Sequence, residues 1–348
     1  MIKTYEILSI GNPIVDIFID IDAILAQKLG ITEANQHINR EQLEAILNEP
    51  SIDFANAVKS SGGGAANVAK IAAMLGMNSA FCGTVGSYEF ADIFEKEMTD
   101  AGVKSILTKS TDKTGICFAC NVDNELRFAV YQGAALEFNE TNINEDLISS
   151  AEVVVLDGYI LSRRSLVKHV LKLANKKATS IVLDAASISQ VKLKSEEILT
   201  YIRSYPLLVF MNADEAITFF NTVRKSDEDI TALTEKEKEA FILQEVCPML
   251  KIITDGELYP IMVVKLGGRG AVVVAGGNIY YEGTFTIIPH NTVGAGDAFC
   301  AAFTSAWIRG KSLSECASLG NKVAREILEV PGTHIKPGKL KSFAKQLQ

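Results

Sequence analysis

Short β-branched runs alternate with amphipathic stretches through most of this chain. "SAFCGTV" precedes "YEFADIFEKEMTDAG", "EVVVLDGYI" precedes "RRSLVKHVLKLANKK", "TSIVLDA" precedes "SEEILTYIRSY", and "PLLVFM" precedes "NADEAITFFNTV". Strand followed by helix, repeated, predicts an α/β fold with a mostly parallel sheet covered on both faces and right-handed crossovers. Two regions break the rhythm. Residues about 12–60 mix strand-like pieces with one helical piece, "NREQLEAILN", and residues about 114–132 read as a hairpin turning at "VDNE". Together they predict a small second sheet able to close over a ligand as a lid, with the main α/β domain built from the remainder of one continuous chain, 1–348. The stretch at about 222–262, charged and then helical, reads as a surface excursion between core elements.

Composition narrows the class. Hydrophobic residues make up 48% of the 348 and charged residues 22%, enough to bury a substantial core. The 42 acidic and 34 basic side chains leave a net charge of -8 without a dense Lys/Arg run, which argues against nucleic acid and anionic membrane as partners. The first residues carry Glu6 and Asp16 in strand-like alternation and lack a signal-peptide core, and no segment approaches bilayer length. Six scattered cysteines point to the reducing cytoplasm; the close pair, Cys117 and Cys120, would face opposite sides of a strand and reads as packing. The four histidines, at 37, 169, 290 and 334, show no metal-ligand spacing.

Candidate chemistry gathers at two glycine clusters. In "TFTIIPHNTVGAGDAFCAAFTSAWIRG", a strand, turn and helix in order, Gly294, Ala295 and Gly296 would lie at a helix N-terminus whose free N–H groups favour an anion. Such a turn could equally need glycine only for its dihedrals. Asp297 bears on that choice, because a carboxylate beside an anion site repels a phosphate unless it has a task, such as taking a proton from an attacking hydroxyl. In "SSGGGAANVAKIAAMLG", Gly62 to Gly64 open a helix of small residues and Asn67 can both donate and accept hydrogen bonds, as a polyol or ribose would require. Close helix–sheet packing would also select these small residues. The "GKS" at 310–312 follows a helix and is no P-loop, and Asn67 stands where a dinucleotide motif needs its third glycine.

With both clusters in place, the chain resembles the ribokinase-like, or PfkB, family of sugar and nucleoside kinases. "GNPIVD" at 11–16, "GGGAAN" at 62–67, "NADE" at 212–215, "KLGGRG" at 265–270 and "NTVGAGD" at 291–297 match in order, and the resemblance runs from about residue 5 to 335. It implies a three-layer α/β/α domain with a β-sheet lid, and transfer of the ATP γ-phosphoryl group to a hydroxymethyl group. By this resemblance Asp297 is the general base, and the N–H groups of Gly294, Ala295 and Gly296 form the anion hole. Asn212 and Glu215 would sit near the phosphates and help place Mg²⁺, Glu215 through water; their alternative is a helix cap with its acid partner. Lys265, Gly267 and Gly270 match the nucleotide-side strand and turn, and Asn321 a helix bordering the adenine, with a solvated strand end and an ordinary helical Asn as the plain readings. Asn12, Asp16, Gly63, Gly64 and Asn67 match the acceptor side, and Asp157 falls where many relatives carry Glu.

The opening, "SIGNPIVDIFIDIDAILAQKLGITEANQHI", is similar to the adenosine kinase branch. A nucleoside acceptor also needs an apolar slot for its base, which Phe18, Ile38, Cys120, Phe128 and Tyr131 could supply from the lid strands. A sugar kinase on the same machinery is the alternative, and a catalytically silent nucleotide- or sugar-binding regulator the third. The chain departs from the family at Asn291, where relatives carry an Asp that helps hold a monovalent cation. This departure predicts weaker potassium activation, and strict potassium dependence would overturn that expectation. Relatives include monomers and homodimers paired through the lid.

Overall fold

The computed structural model describes residues 3–87, 89–226, 233–255, 259–285, 293–329 and 337–347. The strands in chain order are β1 (Tyr5–Ile10), β2 (Ile14–Ile21), β3 (Asn35–His37), β4 (Val58–Gly62), β5 (Ser79–Ser87), β6 (Lys104–Lys113), β7 (Gly115–Val122), β8 (Glu125–Tyr131), β9 (Ala151–Asp157), β10 (Ser180–Asp184), β11 (Leu207–Asn212), β12 (Ile261–Lys265), β13 (Ala271–Ala275) and β14 (Asn278–Glu282).

Nine of them form the large sheet in the order β14-β13-β12-β11-β10-β9-β1-β5-β6. Pairing is parallel from β6 through β12, and antiparallel only where β13 meets β12 and β14 at one edge. Alternation within each strand divides the core into two layers. Val154 and Leu156 of β9 join Ile181 and Leu183 of β10 in one apolar layer, while Val153, Val155 and Val182 enter the opposite layer with Phe210, Phe299 and Phe303. Helices therefore cover both faces, as expected for parallel strands buried on each side.

The remaining five strands make the second sheet, ordered β3-β8-β7-β2-β4. Its hairpin turns through Asp123 and Asn124, both at positive φ (50° and 71°), because a two-residue connection matching strand twist needs left-handed residues. One face of this sheet packs on Phe81, Phe94 and Met98 beneath it. Four short crossings join the two sheets and the elements flanking them: Gly11 to Pro13, Gly63, Thr114 and Gln132. Thr114 is fully buried and its hydroxyl accepts a hydrogen bond from the Gly86 N–H at 3.0 Å.

Among the described residues, the stretch at 222–262 differs from a surface excursion. Ile242, Val246, Cys247, Met249 and Leu250 are buried in the core, and Glu239 binds both Arg269 and the Tyr281 hydroxyl beside the β12–β13 turn. Its helical period hides a core-facing stripe under a charged exterior.

Candidate active site

The polar residues of the large sheet collect where its parallel strands end. Asp157 closes β9, Asp184 closes β10, Asn212 closes β11 and Lys265 closes β12, with Asp184 paired in register to Asp157 and Lys265 to Asn212. A sheet with parallel order opens its crevice at these carboxyl ends. A cavity of about 1080 Å³ lies there, and it is lined by every described residue expected at the catalytic, acceptor and ATP positions. Asn291, the residue tied to a monovalent cation, lies outside the described residues, as do His290 and His334.

The helix Ala295–Ile308 starts from Gly294 in the left-handed conformation, φ 81°, with Asp297 in its first turn. Among the described residues no side chain caps this N-terminus, and Gly294, Ala295 and Gly296, which carry its first N–H groups, line the cavity. A Cβ on Gly296 would lie 3.3 Å from the Lys265 ammonium, which places a cation against the same turn. Lys265 is no solvated strand end. It is 13% exposed and 2.7 Å from Asp184; burial pulls its pKa down, but the charges of Asp184 and Glu215 outweigh this and hold the ammonium protonated.

Asp297 is half-buried, and its pKa is raised to about 7 by burial first and the Asp184 charge second. Asn67 donates from Nδ2 to Asp297 Oδ2 at 2.8 Å. That bond fixes the amide, and leaves Asn67 Oδ1 buried without a hydrogen-bond partner. A buried acceptor of this kind is costly unless something donates to it. Asn12 is oriented the opposite way: Arg163 donates to its Oδ1, so Nδ2 remains for the cavity. Asp16 is buried and raised to about 7 by desolvation, with the Lys70 charge opposing. Gly63, at φ 96°, admits no side chain, because a Cβ would collide with the Asn12 carbonyl oxygen. Asp157 is already engaged, accepting from the Ala65 N–H at 3.3 Å and the Tyr159 N–H at 3.1 Å, and burial raises it to about 6.

Asn212 and Glu215 form a capping box on the helix Ala213–Arg224. Asn212 Oδ1 accepts from the Glu215 N–H, Glu215 Oε2 from the Asn212 N–H, and Glu215 Oε1 from Asn212 Nδ2, each at 2.8 Å. The helix-cap reading is thus realised, at a position that also borders the cavity. Burial raises Glu215 to about 7 against the Lys265 charge. Asn321 is buried and donates to the Glu282 carbonyl at 3.2 Å, on the cavity wall beside Gly267 and Gly270. A Cβ on Gly270, φ 101°, would collide with that same carbonyl.

Strand parity corrects the expected apolar slot. Phe18 and Phe128 line the cavity, joined by Ala119, Leu126 and Val130. Ile38, Cys120 and Tyr131 instead pack in the core on the far face of the second sheet. Cys120 and Tyr131 are odd steps from the cavity-facing Cys117 and Phe128, and successive side chains point to opposite faces.

A family model for pfkB family carbohydrate kinases matches residues 26–338. The chain belongs to that family. It is an ATP-dependent kinase with a nucleoside or sugar as acceptor. Adenosine kinase 2 of Arabidopsis thaliana is 26% identical over 346 residues, covering 94% of each chain. The 5-dehydro-2-deoxygluconokinase of Clostridium beijerinckii is 23% identical over 296 residues, covering 80% of this chain and 81% of its own. The crystal structure of adenosine kinase from Sinorhizobium meliloti superposes with a TM-score of 0.82 at 24% identity, covering 99% of this chain and 100% of that one. The shared architecture is the three-layer α/β/α fold with the small β-sheet lid.

Sequence reasoning missed Asp184 and Arg163. Asp184 had a readable signal, an acid at the end of a strand run, as in the neighbouring "VVLD". Arg163 had none, since its partners are Asn12 and the backbone carbonyls of Ala135 and Phe138, all remote in sequence. Among the described residues no cluster of three or more His, Cys, Asp or Glu side chains could hold a metal ion directly. A Mg²⁺ carried by nucleotide phosphates fits this donor set, because Mg²⁺ keeps much of its water shell.

Proposed function

We propose that this kinase transfers the ATP γ-phosphoryl group to the 5′-hydroxymethyl group of a nucleoside, adenosine first. The observation that carries the reading is the lid wall of the cavity: Phe18, Leu126, Phe128 and Val130 offer a slot for a planar base on the acceptor side. The name and near-full coverage of the Arabidopsis relative support the same acceptor.

In this reading Asp297 accepts the proton of the attacking hydroxyl as the new O–P bond forms and the bond from the γ-phosphorus to the bridging oxygen of ADP breaks, releasing ADP. Asn67 holds that carboxylate through Nδ2, while its orphaned Oδ1 accepts from a ribose hydroxyl. Asp16 accepts from a second hydroxyl and Asn12 donates from Nδ2 to a ribose oxygen. The N–H groups of Gly294, Ala295 and Gly296, with the Lys265 ammonium alongside, face the charge that builds during transfer. ATP would supply the phosphoryl group; Asn212 and Glu215 would border its phosphates, and Glu215 would hold a Mg²⁺ through water, an ion that would offset phosphate charge. Gly267, Gly270 and Asn321 line the nucleotide end. The second sheet serves as the lid.

A sugar acceptor is the second reading, favoured by Asn35 and His37, polar side chains that β3 adds to Asp16 on the lid wall. Purified protein with Mg²⁺-ATP and a panel of nucleosides and sugars, assayed by ADP release, decides between them. Turnover on adenosine above any free sugar is expected; turnover on free sugars alone overturns the nucleoside reading. Tight nucleotide binding with no turnover on any acceptor would instead identify a regulator.

A further inference from the structure

Beneath the acceptor side lies a buried charge network that the mechanism above does not use. Lys70, on the helix Gly64–Met74, is 8% exposed, and its ammonium donates to the Ser61 carbonyl and, at 2.8 Å, to the Ser61 hydroxyl. Glu97, on the helix Glu89–Asp100, accepts from the Ser61 N–H at 2.6 Å and from the Ser61 hydroxyl at 2.8 Å. The single hydroxyl hydrogen of Ser61 therefore points to Glu97 while its lone pair receives Lys70. The next residue, Gly62, is in contact with Asp16: a Cβ there would collide with Asp16 Oδ2.

We propose that Lys70 is a positioning residue for the acceptor site, the counter-charge that offsets part of the desolvation of Asp16 and clamps the Ser61–Gly62 backbone against it. Three titratable groups act on Asp16: Cys117, its register partner on β7, and the charges of Lys70 and Glu97, both tied to Ser61 one residue from the Gly62 that touches it. Of these only Lys70 is a cation. The Cys117 thiol, pushed well up by burial, stays neutral and donates to Asp16. Glu97 works in the other direction, as a like charge. Desolvation alone would drive a proton onto Asp16, and a protonated Asp16 would present a donor where a substrate hydroxyl needs an acceptor.

A purely structural role would need only the Lys70–Ser61–Glu97 tie. The two roles separate in a double variant, Lys70→Met with Glu97→Gln, which removes both charges, so that Glu97 does not lose the Lys70 counter-charge while Asp16 still does. Full-length protein labelled with ¹³C at the aspartate carboxyls gives the readout directly, with the Asp16 resonance assigned by its loss in Asp16→Asn. The Asp16 midpoint is expected to rise in Lys70→Met by about one pH unit or more, and to remain above wild type in the folded double variant, although loss of Glu97 removes part of the shift. Alongside it, kcat/KM for the acceptor at neutral pH should fall by about tenfold while KM for ATP holds within about twofold. An Asp16 midpoint unmoved in Lys70→Met, or acceptor kinetics fully restored in the double variant, overturns the proposal. The kinetic arm rests on the acceptor reading of Asp16, whereas the titration does not. A shifted midpoint with unchanged acceptor kinetics would sustain Lys70 as the counter-charge and remove Asp16 from the acceptor site.

Discussion

The two ends of the cavity handle charge differently. At the end proposed for the nucleotide the buried cation has its anion: Lys265 and Asp184 meet at 2.7 Å, beside a wall that includes Gly267, Gly270, Gly294 and Gly296. At the acceptor end Asp16 and Asp297 both sit near pKa 7, raised chiefly by burial, with Lys70 and Lys265 only partly compensating. At the first end the cation is paired before any ligand arrives, although Glu215 beside it is also raised to about 7; at the second, two carboxylates at the edge of protonation stand together. A base that must take and release a proton near neutral pH belongs in the second environment.

Substitutions should sort by end. Asp297→Asn is expected to lower kcat by about a hundredfold or more, with ATP affinity nearly unchanged by calorimetry; an equal loss of ATP affinity would erase the distinction. Lys265→Met is expected to do the reverse, raising KM for ATP by about tenfold with the smaller effect on acceptor KM, since it removes a phosphate-facing cation. Phe128→Ala should raise KM for adenosine by about tenfold and leave any turnover of free sugars unchanged, because it removes apolar contact that only a base can make.

The smallest effect is in pH, and its two signs oppose each other. Asp16, Glu215 and Asp297 near 7 and Asp157 near 6 bind protons more tightly in the folded chain than in the unfolded one. Their contribution to stability is complete below the ordinary carboxylate range and is lost as pH rises through about 6 to 7. The ligand-free protein should therefore melt a few degrees higher at pH 6 than at pH 8, while kcat falls over the same acidification as Asp297 takes up its proton. Glu49, held down to about 2 by Lys28 and Ser51, and Glu145, held down to about 2 by Lys176 and Lys177, act only at lower pH and do not blur the window. Melting temperatures that fall together with kcat on acidification would break this account.

Much of the site was legible because its motifs are backbone requirements. Gly63, Gly270 and Gly294 adopt positive φ, and glycine is the residue that marks such positions in a sequence. The alternation of strands and helices likewise announced the parallel sheet, since period and run length are local properties. What stayed hidden is set by parity and by distant partners. Only an odd number of strand steps, three within β8 and one across the ladder to β7, separates Phe128, on the cavity, from Tyr131 and Cys120, in the core. Lys70 appears in the sequence as a single charge in an alanine-rich helix, and the groups it works with come from β4 and from the helix Glu89–Asp100.

The four crossings between the sheets include Asn12, Gly63 and Gln132, and these three also line the cavity. The connections between the sheets are thus also cavity wall. Any rotation of one sheet against the other would turn backbone that lines the cavity, so the angle of the jaw and the shape of the space it encloses form a single variable. A longer crossing, by one residue at Gly63 or Gln132, would uncouple them and give a looser jaw that no longer reads what it holds.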